Sequence, residues 1–66
     1  MNASDWQELA QLTARLDELR RDLDAAELEN QIAALYALEA AIAETEEIRE
    51  QVFRRLQDRL TEEAAA

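Results

Sequence analysis

The sequence contains neither glycine nor proline in 66 residues. Those two residue types supply positive-φ turns and end helices, so a chain without them has few ways to interrupt a helix. Alanine, leucine, glutamate, glutamine and arginine, all good helix formers, make up most of it. β-Branched and aromatic residues are sparse, which argues against a sheet. The expected fold class is all-α. At 48% apolar the chain is too hydrophobic to be an acidic disordered tail.

Near the start, Ser4-Asp5-Trp6-Gln7 has the form of a capping box, with Asp5 and Glu8 at the positive end of the helix dipole. Leu9, Leu12, Leu16, Leu19 and Leu23 follow at alternating spacings of three and four, which is a coiled-coil a/d seam. Continued past Leu23, that register places Asn30, Ala37 and Glu44 at a, and the seam is lost. A second register fits the rest: Leu28, Leu35, Ile42 and Leu56 at a, Leu38 and Val52 at d, with Ile32, Phe53 and Leu60 widening it at e. The step of five from Leu23 to Leu28 is explained by a turn near Asp24, where Asp24-Ala25-Ala26-Glu27 forms a second capping box. The expectation is an antiparallel helical hairpin, one domain spanning residues 1–66, with helix one at about 5–23 and helix two at about 25–62. One continuous bent helix is an alternative. Another is three shorter helices, with Thr45 capping the third.

A hairpin of those lengths is lopsided. Helix two overhangs helix one by roughly 25–30 Å at 1.5 Å per residue. Ile48, Val52, Phe53, Leu56 and Leu60 lie on that overhang. Residues 32–43 are apolar almost all round, with Glu39 the exception, and a helix apolar on every side is covered on more than one side. The expected fold is therefore coiled-coil-like and completed by oligomerisation or by a protein partner. Tyr36, Ala37, Ala41, Ile48, Val52, Phe53, Leu56 and Leu60 are the candidate partner-binding residues.

The composition narrows the chemistry. Cysteine and histidine are both absent, which removes thiolate chemistry, disulfides and the commonest metal ligand and general base. Glu44, Glu46 and Glu47 read as a solvated helix face rather than an acid–base or metal cluster. No catalytic residue, metal site or cofactor is expected, and the chain does not read as an enzyme. A net charge of −9 disfavours nucleic acid and anionic lipid as partners. Arg49, Arg54, Arg55 and Arg59 break up the acids, which argues against mimicry of DNA. The apolar run at residues 32–38 is far short of the roughly 20 residues of a membrane span. Asp5 and Glu8 stand where the cationic part of a signal peptide would lie, so the expected location is the cytoplasm.

Two stretches carry a family likeness. Leu19-Arg20-Arg21-Asp22-Leu23, closing the first helix, and Ala37-Leu38-Glu39-Ala40-Ala41-Ile42-Ala43, inside the second, resemble the E-type co-chaperones of bacterial type III secretion needles. The resemblance covers residues 12–53. It implies a small helical hairpin that binds a tetratricopeptide-like chaperone, the pair holding the needle subunit as a soluble monomer in the cytoplasm. This chain differs from that pattern in a shorter connection free of glycine and proline, and in continuing well past the matched region. The competing class is a self-assembling coiled-coil or bundle protein. A small phage-encoded inhibitor that binds a host protein, or a designed bundle, is of that kind.

Overall fold

The computed structural model describes residues 3–65 as two helices, α1 (Ala3–Leu28) and α2 (Ile32–Ala65), packed antiparallel as a helical hairpin. The molecule is a rod of 54 × 15 × 12 Å, and α2 runs nearly its whole length. Ser4 lies inside the first turn of α1 rather than at its cap, because the helix already includes Ala3.

The reversal is at residues 29–31, not at Asp24. Asn30 adopts the left-handed conformation with φ of 56°. Its N–H donates to the Glu27 carbonyl at 3.2 Å, and the Gln31 N–H reaches back to the Ala26 carbonyl at 3.0 Å. That pair of bonds is a Schellman motif, which satisfies carbonyls left open at a helix end. Asparagine fills the position usually taken by glycine because its short polar side chain tolerates positive φ better than most. The Gln31 carbonyl then accepts from the Leu35 N–H at 2.9 Å and opens α2, while the Gln31 amide donates to Glu29 at 2.8 Å. Leu28 consequently ends α1 and points to solvent at 86% exposure, instead of starting a seam on the second helix.

The seam of α1 is longer than its leucines. Asp5, Leu9, Leu12, Leu16, Leu19, Leu23 and Ala26 repeat at alternating four and three, and all are buried or half-buried. On α2 the corresponding line is Leu35, Leu38, Ile42, Thr45, Arg49, Val52, Leu56 and Arg59, again all buried or half-buried. The register expected for α2 is therefore the one observed, apart from Leu28. Thr45 does not cap a third helix. Its hydroxyl donates to the Ala41 carbonyl at 2.7 Å within an unbroken α2.

Four cross-helix ion pairs among the described residues fix the alignment: Arg59–Asp5 at 2.6 Å, Arg55–Asp5 at 3.9 Å, Arg55–Glu8 at 3.1 Å and Arg20–Glu46 at 3.3 Å. Partner numbers on α2 fall as those on α1 rise, as an antiparallel pair requires. The last two are well exposed and contribute roughly 0.2–1 kcal/mol each. Because Asp5 meets Arg59, the first turn of α1 lies against the end of α2. The helices differ by only eight residues, 34 against 26, or about 12 Å. The expected long overhang is absent: α1 runs five residues beyond Leu23 and begins earlier, so it covers Val52 and Leu56 of the stripe thought to be bare, while Ile48, Phe53 and Leu60 stay exposed.

Candidate partner-docking surface

Among the described residues the buried apolar side chains are Leu16, Leu19, Ala26, Val52 and Leu56. Val52, at 1% exposure, and Leu56 are thus core of the hairpin and closed to a partner, contrary to the sequence expectation. Their d and a positions face α1, which reaches them because the helices are closer in length than expected. The other six candidates separate by helix face. Phe53 and Leu60 stay exposed on the flank that Arg20 and Glu46 share, in e positions. Ile48 and Ala41 occupy the opposite flank, the side of Glu8 and Arg55, with Ala41 half-buried. Tyr36 and Ala37 lie on the back of α2, away from α1.

That back face is the least expected surface in the molecule. Ile32, Ala33, Tyr36, Ala37, Ala40 and Ala43 are all exposed, with Ile32 at 64% and Tyr36 at 71%. At 100° per residue they form one continuous strip along the first three turns of α2, without a formal charge. Glu39 shares the e line of Ile32, Glu46 and Phe53, so it borders the strip beside Ile32. The seam side of the same segment is incompletely covered as well, since Leu35, Leu38 and Ile42 are only half-buried. Every residue from 27 to 51 retains some solvent exposure. The most apolar stretch of the chain, residues 32–43, holds no buried side chain.

A second surface feature, of mixed polar and apolar lining, lies toward the open end of the hairpin. Leu9, Thr13, Arg49, Glu50 and Phe53 line an open groove of about 420 Å³. Trp6 and Leu60, in e positions of their helices, flank it and are about half exposed. Arg54–Glu50, at 3.5 Å, borders the groove with charge.

Asp5 and Arg59 were not recognised as seam residues in the sequence. Asp5 is 7% exposed, and its Oδ1 also lies 3.9 Å from Arg55. Asp5 Oδ2 and Arg59 Nη1 are buried against each other at 2.6 Å, yet the N–H does not point along the line between them. The contact is a charge pair rather than an aligned hydrogen bond. Counting back four from Leu9, or forward seven from Val52, would have found both. A charged residue at a seam position fixes register at some cost in stability.

Glu44, Glu46 and Glu47 are exposed, and among the described residues no group of three or more Asp or Glu side chains is placed to hold a metal ion. No helix among them is long and apolar enough to cross a membrane. Comparison with known proteins finds no matching family model, no similar curated protein and no similar solved structure.

Proposed function

We propose that this chain is a non-enzymatic, cytoplasmic protein–protein interaction module that presents the back of α2 to a further helix. The observation that carries the reading is the mismatch within α2: residues 32–43 are the most apolar and hold no buried side chain. Burying a large apolar side chain is worth roughly 1.5–3 kcal/mol, so Ile32 and Tyr36 alone provide a substantial incentive to associate. An apolar strip at helical spacing is the form that lies into a partner's groove. The small core of a 66-residue chain with no cysteine for a disulfide gives a second incentive, since such scaffolds often gain stability from another subunit. The acidic flanks act on association rate and partner choice. In its co-chaperone form, the proposal has the strip seated in the concave surface of a tetratricopeptide-like chaperone, a surface that stacked helix pairs create.

Photo-crosslinking in the native host tests the reading. A photoreactive residue at position 40 is expected to give an adduct that Ala37→Arg abolishes, and the same residue at position 54, on the charged back of α2, to give none. Equal adducts at the two positions, or none at 40, would refute it.

A further inference from the structure

Taking the back of α2 as the docking surface proposed above, we infer that its occupant is a basic amphipathic helix of another protein, one whose apolar face runs between lysine or arginine flanks. The apolar strip alone accepts any apolar helix. The charge around it selects among them.

Charge is divided unevenly along the rod. Residues 22–48 hold eight acids and no arginine or lysine, so eight of the nine net negative charges lie toward the turn. The rest of the chain holds eight acids and all seven arginines and is close to neutral. The eight acids toward the turn are all exposed, and among the described residues only Glu46 of them forms an ion pair, with Arg20. In the rest of the chain Asp5, Glu8, Glu18 and Glu50 each meet an arginine.

The helix register adds a conflict of its own. Arg20 and Glu46 face each other in e positions. One heptad nearer the turn, the same register sets Glu27 opposite Glu39, like charges where the neighbouring layer has an ion pair. Nothing in the hairpin neutralises this end, and its acids frame the strip: Glu29 at the turn, Glu39 along the edge beside Ile32, Glu44 and Glu47 at the far end. An apolar centre inside an anionic rim is complementary to an apolar stripe between cationic flanks. The stripe covers Ile32 and Tyr36, and the long stems of lysine or arginine carry their charge outward to Glu39, Glu44 and Glu47. A cation beside Glu39 also relieves its repulsion with Glu27. A helix with acidic flanks, α2 of a second copy included, meets like charge along the rim.

Titrating the full chain with two synthetic helices tests the charge selection. Both carry one face of leucine and alanine; the flanks are lysine in one and glutamine in the other. The lysine-flanked helix is expected to bind about tenfold more tightly at low salt, the worth of two or three exposed ion pairs. That advantage should vanish toward about 1 M salt. Glu39→Gln, Glu44→Gln and Glu47→Gln together are expected to erase the preference and leave the glutamine-flanked helix bound as before. Ala37→Glu separates docking from plain charge attraction, because it makes the chain more acidic yet sets a charge in the apolar face. It is expected to bind the lysine-flanked helix about tenfold more weakly or worse, with helicity by circular dichroism intact because Ala37 is exposed. Equal affinity of the two helices for the wild-type chain, or undiminished binding by Ala37→Glu, would overturn the basic helix. An adduct from position 40 in cells to a helix with uncharged or acidic flanks, or to a second copy of the chain, sinks the basic helix and keeps the docking surface. No adduct from position 40 sinks both.

Discussion

The two halves of α2 invert the usual relation between composition and burial. Residues 32–43, next to the turn, carry one charge, Glu39, yet their seam residues Leu35, Leu38 and Ile42 are only half-buried and their back is bare alanine and tyrosine. The distal half is densely charged, its back formed by Glu47, Glu50, Arg54, Gln57 and Asp58, yet it supplies the buried Val52 and Leu56. The difference traces to what α1 sets opposite each half. Toward the turn, α1 ends in Ala26 and an outward-facing Leu28, which cover little. Toward the open end it presents a run of leucines and the charge pair of Asp5. Apolar composition therefore marks where a helix expects cover, while burial marks where its own chain provides it. In this hairpin the two do not coincide.

Alanine substitutions at matched leucines probe that inversion most strongly. Leu56→Ala should cost about 2–5 kcal/mol of hairpin stability, as a buried leucine does. Leu38→Ala, at the half-buried seam position, should cost about half as much when measured on dilute protein by urea denaturation. Equal losses would show that the turn half is as well packed as the open end. Asp5→Ala addresses what closes the open end. It leaves a buried Arg59 nitrogen without its counter-charge, a loss of about 1–3 kcal/mol for a fully buried group, discounted because the Arg59 side chain is 40% exposed. Roughly 1 kcal/mol is expected, and no change in midpoint would assign the pair no share in stability. Asn30→Gly acts on the turn alone. Relief of the positive φ should add up to about 1 kcal/mol, which in a domain this small raises Tm by about 4–8 °C. A lower Tm would mean that the asparagine side chain contributes more than its backbone costs.

Much of the hairpin was legible in the sequence. The alternating leucines of α1 and the a/d line from Leu35 to Leu56 are periodic enough to be read directly, and the phase change between them demands a reversal. Its position was not legible, because the stop is an asparagine in a left-handed conformation and sequence inspection looks for glycine. Ala26 compounded the error: it is a true seam residue, but too small to extend a leucine pattern. Placing the turn too early shortened α1, lengthened α2, and left Val52 and Leu56 apparently uncovered. Charged residues hid the last layer of the seam, since Asp5 read as a dipole partner and Arg59 as surface. The bare back of residues 32–43 survived these errors, because it follows from α2 alone: one neighbouring helix cannot cover a helix that is apolar all round.

The placement of the buried residues also sets the order in which the chain can fold. Contacts beside the turn join residues close in sequence and cost little loop-closure entropy, but apart from the small Ala26 they involve the half-buried Leu23, Leu35 and Leu38. The well-buried Val52 and Leu56 lie, by the register of the cross-helix ion pairs, at the level of Leu12 and Leu9, across a loop of about forty residues or more. The cheapest early contacts are thus the least rewarding, and the nucleus must either form across that longer loop or await help. Under the proposed docking, a helix seated on the back of α2 would supply that help at the turn, and association and folding would become coupled steps.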